Sequence, residues 1–322
     1  MQKTLSILSI FFVCMAAYCV IIYICMKCIT KFKIYWLKFT TWLSTGVSML
    51  VYNFHKIIDG VKTKKNIAYV EKPNKFQKFD VHYTKIDKNL KPIIIYFHGG
   101  GWTAYSKHIF TTLTRRLARM GYVVFNCNYS LAPKYKMEDI INDGINAIKY
   151  ARKIATDFGG DSSKIILAGD SAGAHMSSMI TALATNNIEY NELSVNLKAL
   201  LLFYGVYDLE TMLLTGFPKI KTYAEACIEG GIKNKSLLEK YSPIKYNLKG
   251  FPPCFIASGA VDKLHDSQSK TMYKVLKENG VKVENLFFPK DEFKAMHAYM
   301  IIDGISTNIK TLECVEKFLK GV

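Results

Sequence analysis

Lys164-Ile165-Ile166-Leu167-Ala168-Gly169-Asp170-Ser171-Ala172-Gly173-Ala174-His175-Met176 runs from a short apolar stretch, through a serine bracketed by glycines, into a segment of helical character. Lys164–Leu167 reads as a strand and Ala174–Thr185 as a helix, so the pentad Gly169–Gly173 falls on the turn between them. A serine hydroxyl is a poor nucleophile at neutral pH. Displayed on a sharp strand-to-helix turn, with a base in reach and amide donors for an oxyanion, it becomes an effective one. Glycine at 169 and 173 leaves room for the crowded backbone such a turn imposes.

Working outward, apolar runs of strand length alternate with helical stretches, which argues for a mostly parallel sheet flanked by helices. Pro92 opens a strand over Ile93–Phe97, followed at its C-terminal end by His98-Gly99-Gly100-Gly101-Trp102. A helix over residues 107–120 and a strand over Val123–Asn128 come next. Met137–Phe158 carries isoleucines at helical spacing and stops at Gly159-Gly160. Leu200–Tyr204, Cys254–Ser258 and Val283–Phe288 supply further strands, and Ser306–Leu319 a closing helix. The three glycines at 99–101 expose amides at a strand end, which makes the N–H groups of Gly100 and Gly101, with that of Ala172, the candidate oxyanion donors.

The rest of the composition narrows the setting. Half of the 322 residues are hydrophobic and 21% are charged, which excludes wholesale disorder and is enough for one large core. The net charge of +17 is uneven, because residues 1–65 hold nine lysines and one acid. That density sits beside a run without charge from Thr4 to Met26, long enough as a helix, about 34 Å, to cross a bilayer core of about 30 Å. Residues 1–30 therefore read as a single-pass membrane anchor, retained rather than cleaved. Lys27, Lys31, Lys33 and Lys38 after the run favour a cytoplasmic catalytic domain, and the charge reads as attraction to anionic lipid rather than to nucleic acid, against the plainer reading of a solvated basic surface. Residues 31–65, with an apolar stretch at 39–54, read as an interfacial or cap segment, against the plainer reading of a core-packing helix. A polar, lysine-rich linker around 60–78 leads into a catalytic domain over 66–322, in which 206–250 has the place and irregularity of a lid insertion. Eight cysteines, four of them in or beside the apolar run, show no disulfide framework. Neither metal-ligand spacing nor a nucleotide-binding glycine motif is present, so no cofactor and no metal are expected.

His98-Gly99-Gly100-Gly101-Trp102, Tyr129-x-Leu131-Ala132-Pro133, Gly159-Gly160-Asp161 and Gly169-Asp170-Ser171-Ala172-Gly173, in that order, resemble the hormone-sensitive-lipase-like branch of the α/β-hydrolases, which includes carboxylesterases and arylacetamide deacetylases. The resemblance covers about residues 80–322. The run Gly169–His175 also looks like prenylcysteine methylesterases and kynurenine formamidases. The resemblance implies an α/β-hydrolase fold with a small cap and a triad in the order serine, acid, histidine. Ser171 is then the nucleophile. Asp262, in Asp262-Lys263-Leu264-His265-Asp266, matches the catalytic acid, with Asp266 as a rival better suited to capping the next helix. His297, after the last strand, matches the base among seven histidines. His98 and Gly99 are expected to brace the oxyanion loop, Asp170 matches the glycine-aspartate-serine pattern, and Asp143 is expected to support nearby loops. These residues imply a membrane-anchored serine carboxylesterase acting through an acyl-enzyme on small, lipophilic esters. The alternatives are an amide-cleaving deacetylase or formamidase using the same triad, and a ligand-binding protein on an inactive hydrolase fold. Oligomeric state is not legible.

Overall fold

The computed structural model describes residues 56–86, 88–186, 191–194 and 196–322, together with Met15, Tyr18–Tyr23 and four positions between 35 and 40. Most of Thr4–Met26, and of residues 39–54, lies outside the described residues, so the anchor and the interfacial segment are not described as units. Tyr18–Tyr23 is helical, and Tyr18, Val20, Ile21 and Tyr23 are more than half exposed. Among the described residues, no helix is long and apolar enough to cross a membrane.

Eight strands form one sheet: β1 (Lys62–Ala68), β2 (Lys78–Tyr83), β3 (Lys91–Phe97), β4 (Val123–Cys127), β5 (Gly160–Asp170), β6 (Leu197–Phe203), β7 (Cys254–Gly259) and β8 (Val283–Phe288). They are ordered β1-β2-β4-β3-β5-β6-β7-β8. From β4 to β8 every pairing is parallel, while β1 and β2 are added antiparallel at one edge. This corrects the reading of residues around 60–78 as a linker. Lysines at 62, 64 and 65 hide a strand whose side chains are mostly exposed, as suits an edge that must resist pairing with other chains. The boundary drawn between residues 65 and 66 falls inside β1. Strand β5 also starts earlier than its apolar core suggests, because Gly160 and Asp161 pair with Lys91 and Pro92 before an irregularity that ends at Ile165.

The central strands are buried on both faces, as their unbroken apolar runs require. In β3, Ile93, Ile95 and Phe97 enter one core while Ile94 and Tyr96 enter the other. Helices α1 (Thr111–Arg119) and α6 (Ser306–Lys320) cover the second face through Leu113, Leu117, Leu312, Val315 and Phe318. Helices α2 (Met137–Ile154), α3 (Ala172–Asn186), α4 (Ile220–Cys227) and α5 (Thr271–Glu278) contribute to the first. Helix α2 ends through a 3₁₀ turn at Gly159, whose φ of +76° is the left-handed stop that glycine permits. Residues 206–250 fold as short helices and turns whose apolar residues join the first core. Parallel strands all deliver their C-terminal ends to one edge, and there the loops after β3, β5, β7 and β8 meet.

Candidate active site

Ser171 sits between β5 and α3 with φ +49°, a left-handed conformation that costs a residue with a β-carbon roughly 1–2 kcal/mol. Neighbouring bonds hold it there. Its N–H donates to the Phe203 carbonyl at 2.9 Å, and its own carbonyl accepts the His175 N–H at 3.0 Å. The flanking glycines are required sterically. A β-carbon at 169 would lie 2.3 Å from the Gly173 carbonyl carbon, and one at 173 would lie 1.9 Å from the Phe97 oxygen.

The loop after β8 brings His297 to this turn, with Nε2 2.9 Å from Ser171 Oγ. The loop after β7 brings Asp262, whose Oδ2 is 2.7 Å from His297 Nδ1. A carboxylate only accepts, so Nδ1 carries the proton and Nε2 is left free to take one from the serine hydroxyl. The Asp262 carboxyl is almost wholly buried, and its other oxygen accepts the Leu264 N–H at 3.0 Å, which fixes its plane. Asp266 is not brought to the site. Its side chain is 77% exposed and pairs with Lys270 one turn on, while Leu264 occupies the N-cap position. The expected capping role for Asp266 is therefore replaced by an i,i+4 ion pair in a π-helical turn.

Four of the competing histidines are occupied elsewhere. His82, His98 and His175 are buried, and desolvation lowers them to about 3, 4 and 4 respectively. His265 bonds Ser258 Oγ at 2.7 Å.

The glycine loop after β3 runs along the other side of Ser171. Gly100 and Gly101 have φ of +116° and +57°. Thr103 and Ala104 donate to the Gly100 carbonyl, and the Gly100 and Gly101 amides find no acceptor among the described residues. Ala172 opens α3, so its N–H has no intrahelical acceptor. All three residues line one cavity of about 140 Å³ with Ser171 and His297. The loop is tied to the serine turn by Asp170, whose Oδ1 accepts the Gly99 N–H at 2.8 Å and the Tyr96 hydroxyl at 2.9 Å. Burial pushes this carboxyl up to about 7, although both bonds pull the other way. His98 lies under the loop, stacked on Tyr129 at 4.3 Å, with Nδ1 donating to the Gly99 carbonyl at 2.6 Å. Asp143 accepts from the Ser130 amide and from Gln77 Nε2, bracing the neighbouring loop.

Several residues at the site carry no motif. Phe217 packs edge-on to His297, with ring centroids 4.6 Å apart, and Tyr204 does so at 5.0 Å. Tyr223 lies against Gly101, where a β-carbon would meet its ring at 2.5 Å. Phe217, Ile220 and Tyr223 come from the 206–250 segment and wall the cavity. The irregularity of that segment points to its position but not to the side chains it lends.

The chain has relatives among known proteins. The family model BD-FAE matches residues 79–276. Esterase LipQ of Mycobacterium tuberculosis is 30% identical over 198 residues, covering 59% of this chain and 46% of its own length. The kynurenine formamidase of Danio rerio is 32% identical over 139 residues, covering 43% of this chain and 45% of its own. The chain thus spans about half the length of these curated relatives. Esterase B from Lactobacillus Rhamnosis has a similar fold, with a TM-score of 0.76 at 22% identity over 87% of this chain and 92% of that one. With the family model covering more than half of its length, the chain belongs to the BD-FAE family of α/β-hydrolases, in their hormone-sensitive-lipase-like branch.

Proposed function

We propose that this protein is a serine hydrolase that cleaves carboxylic esters through an acyl-enzyme. The observation that carries the reading is the unbroken relay Ser171 Oγ, His297 Nε2, His297 Nδ1, Asp262 Oδ2 at 2.9 and 2.7 Å, opening on an apolar cavity. Ser171 attacks the ester carbonyl as His297 takes its proton, and Asp262 stabilises the imidazolium that forms. Negative charge gathers on the former carbonyl oxygen, where the Gly100, Gly101 and Ala172 amides converge. Each such donor is worth about 2.7–4 kcal/mol in the transition state. His297 returns the proton to the departing alcohol, and water then repeats the sequence on the acyl-enzyme. A ligand-binding protein on an inactive fold has no need of three groups held at bonding distance.

The formamidase among the relatives supports a second reading, in which the same triad expels an amine. The two differ at leaving-group protonation. We infer that the chain is also held at a membrane by its N-terminal apolar run, which puts lipophilic esters within reach. The exposed helical residues Tyr18, Val20, Ile21 and Tyr23 and the lysines that follow the run support this. Purified protein tested on nitrophenyl esters of increasing chain length, beside a matching anilide, decides the reaction class. Turnover of the esters alone supports the first reading, faster turnover of the anilide the second, and turnover of neither removes both.

A further inference from the structure

His175 is fully buried one helical turn beyond Ser171, and nothing in the triad uses it. Both of its ring nitrogens are engaged. Nε2 lies 2.7 Å from the carbonyl oxygen of Tyr241, which can only accept, so Nε2 carries the proton. Burial lowers its pKa to about 4, so the ring is neutral at neutral pH and Nδ1 keeps a lone pair. Trp102 Nε1, which can only donate, points at that lone pair from 3.3 Å, with the two rings edge to face. Chemistry alone thus fixes the tautomer, with the indole as donor and the peptide carbonyl as acceptor.

Trp102 is the last residue of the glycine loop and is buried with φ +59°. Gly100, Gly101 and Trp102 are three successive positive-φ residues, a path with no regular backbone pattern to hold it, so tertiary contacts must fix it. Backbone bonds hold part of it, the Thr103 and Ala104 N–H groups donating to the Gly100 carbonyl and the Ala132 N–H to the Trp102 carbonyl at 2.9 Å, and two side-chain bonds tie it to the serine turn. Gly99 is bonded to Asp170 on one side of Ser171, and Trp102 to His175 on the other. Residues 170–175 form one continuous stretch, a strand end running into the first turn of α3. The amides of Gly100 and Gly101 therefore lie between two side-chain ties to the element that carries the nucleophile.

We propose that His175 is a positioning residue that sets the oxyanion loop through Trp102. The proposal rests on the reading of Ser171 as a nucleophile served by the Gly100 and Gly101 amides. A loop released at its Trp102 end lets those donors drift from the place where charge develops. Since that charge exists only in the transition state, the loss falls on kcat and not on KM.

The test uses the full chain and nitrophenyl acetate. Trp102→Phe keeps the ring and deletes only the N–H donor, His175→Phe removes both ring nitrogens, and His175→Gln can restore one donor and one acceptor. We expect about a 30- to 300-fold fall in kcat for Trp102→Phe and for His175→Phe, with KM within about threefold of wild type. The double variant should be no slower than the worse single one, and His175→Gln should recover at least tenfold. Wild-type kcat in Trp102→Phe, losses that multiply in the double variant, or an effect confined to KM would each overturn the proposal. If His175→Phe does not fold, Trp102→Phe and His175→Gln carry the test alone. Labelling of Ser171 by a fluorophosphonate separates the two levels. Without labelling of the wild type the nucleophile reading fails, whereas wild-type labelling with an unaffected Trp102→Phe defeats this proposal only.

Discussion

Asp262 and His297 stand on different loops, after β7 and after β8, yet their side chains meet at 2.7 Å with the carboxyl almost wholly buried. The bond holds the imidazole in the tautomer that leaves Nε2 facing Ser171. Asp262→Asn presents an amide that no longer favours that tautomer, so kcat should fall by up to about 10⁴ while the melting temperature changes little. Asp266→Asn loses only an exposed ion pair with Lys270 and should turn over esters within about twofold of wild type. Steady-state kinetics of both variants check the assignment, and the reverse ranking would transfer the acid role to Asp266.

In the proposed mechanism Ser171 Oγ forms the bond to the acyl group, so a fluorophosphonate should label the wild type and leave Ser171→Ala unlabelled. Hydrolysis by Ser171→Ala should drop by at least about 10⁴. Intact-mass measurement after labelling reads the result, and equal modification of both proteins would contradict the nucleophile.

Asp170 makes stability depend on pH in a direction opposite to an ordinary surface carboxylate. Its folded pKa is raised by burial to about 7, above the ordinary value of 3.8, so the folded state holds a proton that the unfolded state has lost across that interval. Its contribution is complete below the unfolded pKa and is lost as pH rises towards 7, by an amount on the order of a few kcal/mol. Asp170→Asn keeps an oxygen for Tyr96 and Gly99 but cannot ionise. Its melting temperature should gain on the wild type between pH 4 and pH 8, and parallel curves over that range would refute the account.

Lys107 is 1% exposed, and its ammonium meets Asp80 Oδ1 at 2.6 Å and Asn66 Oδ1 at 2.9 Å. Removing one partner leaves a buried charge uncompensated. Asp80→Ala should therefore cost about 3–5 kcal/mol in denaturant unfolding. The double change to Asp80→Leu with Lys107→Met, which removes both charges, should recover much of that loss.

The uncharged run Thr4–Met26 should keep the full-length chain in the membrane pellet through a carbonate wash, because buried apolar surface does not respond to pH or salt. Deleting residues 1–30 should move it to the supernatant. Full-length protein found in the supernatant would exclude a spanning helix.

What the sequence determined by itself is local. The strand, glycine-bracketed serine and helix around Ser171 were legible because Gly169 and Gly173 stand where a β-carbon would strike backbone 2.3 and 1.9 Å away, so the residue type records the geometry. The parallel core was legible from runs such as Ile93–Phe97, since only strands buried on both faces are apolar throughout. Strand β1 was hidden by its lysines, because an exposed edge strand shares the composition of a linker. Tertiary structure alone decided how distant groups meet. Sequence prefers Asp262 to Asp266 through a motif match, but only the paths of the loops after β7 and β8 bring Asp262, and not Asp266, to His297. Trp102 and His175, 73 positions apart, carry no shared motif, and neither do Phe217 and His297. Their contacts arise because parallel strands deliver their C-terminal loops to one edge, where proximity follows from the order of the sheet and not from the order of the chain.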